Sequence, residues 1–266
     1  MRVRNSVTEA RPDSEDADSE VPAAVVCARC GDAECPGCVN DLMRSGVIAL
    51  VPWERPGRPV LERLWATARA TTLDAEHFFE VLPDGALVPA LRFAMISEVV
   101  ASTAMALAVL GPIALLAPEW ARHVLVERWG TLLRLVGLGV PLVACLLVAA
   151  HAAHGWALGL GARRSGASGH THALRFGLYA AGWDLIIGPL GVVVLALKEG
   201  LRPALSVAAV ATGLPGRSAR SFLRGCYRLE GEAARPALRA SYAAAVIVTL
   251  VGAIAVIAAI AWAVLL

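Results

Sequence analysis

Long apolar runs, almost free of charge, alternate with short charged stretches along the second two thirds of the chain. Phe93 to Leu116 carries only Glu98, Leu132 to Leu158 only Arg134, and Ser241 to Leu266 no charge at all. The first of these has 24 residues. At about 1.5 Å per residue it reaches about 36 Å as a helix, enough to cross the ~30 Å hydrocarbon layer with some tilt. Pro112 and Pro141 are expected to bend the first and second of these spans. Between them and the last span, Leu174 to Leu214 is two apolar runs meeting at Gly188-Pro189. It reads as a tight helical hairpin, with His172 to Ile187 going out and Leu190 to Ala211 returning. The pattern predicts an all-α integral membrane protein, a five-helix transmembrane bundle over residues 93–266.

Ahead of the spans the periodicity changes. Residues 1–24 hold Asp13, Glu15, Asp16, Asp18 and Glu20 among serines and prolines. Such a stretch cannot bury a core and is expected to be a disordered acidic tail. Residues 25–46 form a small cysteine-rich unit, and residues 47–92 a mixed juxtamembrane segment. Within the latter, Trp53-Glu54-Arg55-Pro56-Gly57 is punctuated as a turn. Val60, Leu61, Leu64, Trp65 and Ala68 then recur at helical spacing, with Glu62, Arg63 and Arg69 opposite. That amphipathic helix suits the membrane surface, with Trp65 at headgroup depth, or packing against the bundle.

Composition agrees with a bilayer setting. The 266 residues are 57% hydrophobic and only 17% charged, against roughly a quarter charged in soluble domains; mean hydropathy is +0.62. Lys198 is the only lysine, and the net charge of +2 gives no reason to expect a nucleic-acid partner. The first twenty residues contain acids and no apolar core of about 7–15 residues, so no secretory leader is expected there.

The distribution of arginine then selects a topology. With five spans and the N-terminus inside, the inner loops hold Arg163, Arg164 and Arg175, then six arginines between Pro215 and Arg239. The outer loop between the first two spans holds Arg122 and Arg128, balanced by Glu119 and Glu127. Basic residues favour cytoplasmic loops. Four spans with the same start would put the six-arginine segment outside. The expectation is therefore an integral membrane protein with its N-terminus in the cytoplasm and its C-terminus outside. The tryptophans agree: Trp120, Trp129, Trp156 and Trp262 fall near the ends of the predicted spans.

Four of the six cysteines lie in Cys27-x2-Cys30-x4-Cys35-x2-Cys38. Each C-x2-C pair can turn two sulfurs toward one ion, and four thiolates in a tetrahedron describe structural zinc with no open position for catalysis. Redox-active dithiols and plain disulfides are competing readings, disfavoured in a reducing compartment. The spacing also resembles the middle four ligands of a B-box-type zinc finger. The outer Cys and His ligands of that family are missing here, so the resemblance implies one zinc on Cys27, Cys30, Cys35 and Cys38. Such a knuckle offers a surface to a protein partner.

Other candidates lie in the membrane part. Asp184 and Lys198 sit on opposite arms of the predicted hairpin, and a charge at the bilayer centre costs roughly 3 kcal/mol or more unless paired. An ion or proton path through this pair would make the protein a small transporter or channel. His151, His154, His170 and His172 fall on one side of the membrane and are candidate metal ligands, with polar capping at the interface as the alternative. Arg217, Arg220, Arg224 and Arg228 line one helical face, suited to anionic lipid or to simple anchoring. There is no Ser-His-Asp order, no H-E-x-x-H, no P-loop and no G-x-G-x-x-G, so no enzyme is indicated. A membrane-organising scaffold, or a regulator in which the zinc knuckle switches the membrane part, fits this inventory.

From about Trp53 onward the chain resembles bacterial members of the Yip family (Ypt/Rab-interacting membrane proteins). The resemblance rests on the Trp53-Glu54 lead-in, Phe78-Phe79, Leu82-Pro83 and Ala90-Leu91-Arg92-Phe93-Ala94. Leu178-Tyr179 ahead of Gly188-Pro189-Leu190-Gly191 and the five predicted spans add to it. It implies a five-helix membrane protein with a cytoplasmic N-terminus and no catalytic activity.

Overall fold

The computed structural model describes residues 51–163 and 170–265. They belong to one compact unit, Ala49–Leu266. All regular structure among them is helical, with no strand. The thiol knuckle, the acidic tail and the loop 164–169 lie outside the described residues.

A 3-10 turn at Pro52–Glu54 opens the unit, followed by α1 (Val60–Leu73) and α2 (Ala75–Glu80). Three long helices follow, α3 (Leu87–Leu116), α5 (Trp129–Arg163) and α11 (Gly231–Leu265), with the short α4 (Pro118–Glu127) joining the first two. These three are long and apolar enough to cross a membrane. They coincide with the first, second and last predicted spans. Pro112, Pro141 and Pro236 all lie inside them.

The expected hairpin differs from its prediction. Residues 170–212 are four shorter helices: α6 (His170–Ala180), α7 (Gly182–Ile186), α8 (Pro189–Glu199) and α9 (Leu201–Thr212). Neither arm is one continuous helix. The first breaks at Ala181, where the backbone carries the buried, close-packed Gly182 against Thr71 and Phe93. The second breaks at Gly200, whose φ of +93° is open to glycine and strained for any other residue. At about 1.5 Å per residue, an 11- or 12-residue helix reaches about 16–18 Å, short of the hydrocarbon thickness. The amphipathic α10 (Leu214–Tyr227) then leads into α11.

Contacts between the helices fix their registers. A Cβ on Gly161 of α5 would strike Ala237 of α11, and one on Gly139 would lie 3.8 Å from Ile260, so α5 and α11 run antiparallel. A Cβ on Gly155 would lie 2.9 Å from Gly177 Cα, and one on Gly159 2.9 Å from Ala173 Cβ. Helix α6 therefore also runs antiparallel to α5, at a separation only glycine permits. One end of the bundle, called the head below, gathers α1, α2, α6, α7 and α10 around a single core. Trp53, Phe79, Phe93, Phe176, Tyr179, Trp183 and Phe222 are its aromatic members. Phe176 stacks on Phe222 at 4.7 Å between ring centroids, and Phe79 meets Phe176 edge-on at the same separation.

The route of residues 170–214 follows from this. His170 lies against Gly159 near the head end of α5, and Leu214 belongs to the same buried core as Phe79. The segment between them leaves the head and returns to it. An even number of passages, or none, is thus compatible, and a single crossing is not.

Candidate functional site

The site is assembled from the head downward. Glu54 of the opening turn receives both terminal nitrogens of Arg175, at 2.8 and 3.0 Å, and the hydroxyl of Tyr179. Arg175 is 1% exposed, and its guanidinium also donates to the Ala86 carbonyl at 2.9 Å. The bidentate fork fixes the opening turn of the unit to α6. Trp53 does the same for α3, donating its indole N–H to the Pro89 carbonyl at 2.8 Å. The Trp-Glu lead-in and Leu178-Tyr179 are therefore two halves of one lock.

Below that lock the chain passes from α6 into α7. Trp183 donates its indole N–H to the Thr71 carbonyl at 2.8 Å, and the Thr72 hydroxyl donates to the Gly182 carbonyl at 3.3 Å. Helix α1 thereby holds the first turn of α7 from above and aims Asp184 at α5. There the Asp184 Oδ2 lies 3.0 Å from His151 Nε2. Glu98 of α3 approaches the same nitrogen from another side, its Oε1 3.2 Å away. A single Nε2–H serves one of these acceptors at a time. Although Glu98 is 0% exposed, neither of its oxygens makes a hydrogen bond. The three ligand-type atoms lie within 4.8 Å of one another.

The depth of this group can be counted. The pairing of Glu98 with His151 puts Arg92 level with Ala157, beside Trp156. The Gly161–Ala237 contact puts Arg239 close to the same level. Glu98 and His151 lie six residues further along their helices, about 9 Å deeper at helical rise. Beyond them the lining turns apolar. A cavity of about 280 Å³ between α3 and α5 is bounded by Ser102, Met105, Leu110, Val136, Gly139 and Val143.

The residues singled out in the sequence fall as follows. Asp184 is in the group, but its neighbours are His151 and Glu98. Lys198 is exposed and forms no ion pair among the described residues. The four histidines are not brought together. His154 is buried against Ser241, Nδ1 to hydroxyl 2.6 Å, and His172 bonds the Leu82 carbonyl at 2.7 Å. His170 packs beside Gly159. The arginine face of α10 is partly consumed by α2: Arg217 pairs with Glu76 at 3.0 Å, and Arg224 with Glu80 at 2.8 Å. The Arg224 guanidinium holds the Glu80 carboxyl below its usual range. Cys226 sits under the carbonyls of Phe79, Glu80 and Leu82, and burial pushes its thiol up to about 12. In α1, Leu64 and Ala68 enter the core while Leu61 and Trp65 stay exposed. Cys27, Cys30, Cys35 and Cys38 lie outside the described residues.

Glu98 is the member to which the sequence assigned no chemistry: near the start of the first span it could reach the headgroups or face the bundle, and it is turned inward. The available signal was its isolation: it is the only charge in the first apolar run. Compared with family models, with curated proteins and with solved structures, the chain matches none of them.

Proposed function

We propose that this is a non-enzymatic, multi-pass protein of the bacterial inner membrane that organises or scaffolds partners from its cytoplasmic side. In this reading the head faces the cytoplasm and the C-terminus lies outside. A zinc ion on Cys27, Cys30, Cys35 and Cys38 shapes a knuckle that recruits a protein partner.

The observation that carries the reading is the concentration of basic residues at the head. Residues 215–239, covering α10, the turn after it and the start of α11, hold six arginines, whereas the connection at the opposite end holds Arg122 and Arg128 against Glu119 and Glu127. Because residues 170–214 return to the head, each long helix and each basic segment keeps its side whether or not α8 and α9 cross. The reading of a transporter built on Asp184 and Lys198 draws no comparable support, since the two side chains have no contact with each other among the described residues.

The test is a pair of reporter fusions in the full chain, one before Met1 and one after Leu266. A cytoplasm-active reporter is expected to work at the first position and an export-active one at the second. Activity of the same reporter type at both ends overturns the reading. Metal analysis of the full chain is expected to lose one zinc when Cys27 and Cys30 are both replaced by Ser.

A further inference from the structure

We propose that Glu98, His151 and Asp184 form a binding site for a divalent first-row transition-metal ion, set just inside the apolar layer below the head. The inference does not depend on the topology or on the knuckle.

Geometry comes first. With metal–ligand bonds of about 2.1 Å, neighbouring donors around an ion are separated by about 3.0 Å in an octahedron and about 3.4 Å in a tetrahedron. The His151 Nε2 to Asp184 Oδ2 and Glu98 Oε1 distances are 3.0 and 3.2 Å. These two distances match edges of such a polyhedron, and all three donor atoms lie within 4.8 Å of one another. The three donors come from three separate helices, α5, α7 and α3. Each is positioned independently, and Asp184 is held through the Trp183 and Thr72 bonds to α1.

The second observation is Glu98 itself. It is fully buried, aimed at His151, and both oxygens lack a hydrogen-bond partner. Burying a carboxylate that makes no hydrogen bond and shares one imidazole with a second carboxylate is costly. Two carboxylates sharing one imidazolium carry a net charge of −1 within the group. A divalent ion on two carboxylates and a neutral imidazole brings it to zero and gives Glu98 a direct bond in place of a shared 3.2 Å contact with His151.

Donor chemistry narrows the ion. One imidazole nitrogen and two carboxylate oxygens suit Mn²⁺, Fe²⁺, Co²⁺ or Zn²⁺. Mg²⁺ and Ca²⁺ favour all-oxygen shells, and a copper(I) site calls for sulfur. Three protein donors leave at least one position open. Asp184, with 32% of its side chain exposed, is the lip of the site, and Glu98 its floor.

The probe is Co²⁺, added to the full-length protein in detergent, purified without a polyhistidine tag. All four of Cys27, Cys30, Cys35 and Cys38 are replaced by Ser so that thiolate binding is absent. One equivalent is expected, with the visible absorption of nitrogen–oxygen coordination. His151→Asn and Asp184→Asn are each expected to weaken it at least about 100-fold, beyond the 10–100-fold typical of outer-shell changes. Elution profile and helical circular dichroism check that each variant folds. If a variant does not fold, protection of His151 from diethyl pyrocarbonate by Co²⁺ decides the matter with no substitution in the triad. Absence of bound Co²⁺, binding unchanged in folded His151→Asn and Asp184→Asn, or unprotected His151 overturns the assignment.

Discussion

The head and the opposite half of the three long helices are built from similar residues but held by different forces. In the head, Arg175, Phe79, Phe93, Phe176 and Phe222 are sealed from their surroundings, and polar side chains bridge distant segments. In the far half, Leu107, Leu115, Leu250, Ile254 and Ile257 point outward. Apolar exposure on this scale would mark an aggregation site in a soluble protein, but lipid tails are as apolar as leucine. There, no gain from burial drives helix against helix, and contact rests on close packing by small residues. The lesson is that one chain uses core chemistry to fix a shape at its head and leaves the bilayer to hold the rest.

The comparison is broken most directly at Arg175. Replacing Arg175 by Met strands the Glu54 carboxylate with Tyr179 alone, and loss of one partner from a buried pair costs about 3–5 kcal/mol. The expected outcome is a large fall in the detergent-solubilised unfolding midpoint, followed by tryptophan fluorescence. Trp53 precedes Glu54 directly and Trp183 lies further along the same α6–α7 arm, so with the other five tryptophans replaced by Phe the signal reports the lock. A midpoint unchanged by Arg175→Met would remove the distinction between the two halves.

A second effect, smaller, is expected where α5 meets α6. Gly155→Ala would press a methyl group into the Ala173 carbonyl and the backbone of Gly177. Neither atom can rotate aside, and overpacking of this kind costs about 1–3 kcal/mol. Because α6 leads to α7, the change should also loosen Asp184 from His151. Faster diethyl pyrocarbonate labelling of His151 would report that.

Much of this arrangement was legible in the residues, and the rest was not for identifiable reasons. The three long helices follow from charge-free runs, which leave few alternatives. The four-residue repeat of Arg220, Arg224 and Arg228 announces α10, and Leu64 and Ala68 announce the buried side of α1. Asp184 was recognisable as a residue in need of a partner. Its partner was not, because counting along a hairpin gives depth but not the direction a side chain faces. Lys198 matched roughly by depth, yet α5 supplies His151, and α3 supplies Glu98 from 53 positions earlier in the chain than His151. The breaks at Ala181 and Gly200 were equally hidden. Ala181 is an ordinary helix former, and nothing local announces the close packing of Gly182 against Thr71 and Phe93 beside it. The Glu54–Arg175–Tyr179 lock joins segments 121 residues apart, beyond any local pattern.

The third effect is one of pH and salt at the rim of the head. Glu80 is held below its usual range, first by its hydrogen bond to Arg224, with His77 adding a weaker pull. A depressed carboxyl contributes stability above its unfolded value of 4.5 and loses it as pH falls through the lower folded value. The wild-type midpoint should thus decline below about pH 4.5 more steeply than that of Glu80→Gln. The difference should shrink in high salt, because the pair is solvent-exposed. Equal acid limbs for the two proteins would show that the Arg224–Glu80 pair contributes nothing to holding α10 on α2.

The smallest effect is predicted at Gly252, and it is the matched counterpart of Gly155. Both glycines lie on long helices and both face a neighbour across a tight contact. At Gly252 the atom in the way is the terminal methyl of Leu146, on α5 in the far half. A leucine terminus can turn to another rotamer, and the surrounding lipid closes any space it leaves. Gly252→Ala also relieves the helix of a glycine, worth up to about 1 kcal/mol in an exposed helix interior. The two contributions oppose each other, so the midpoint should move by no more than about 0.5 kcal/mol in either direction. Gly155→Ala receives the same propensity gain and still loses, because backbone cannot yield as Leu146 can. Measured side by side, equal losses at the two positions would mean that the far half is packed as rigidly as the head.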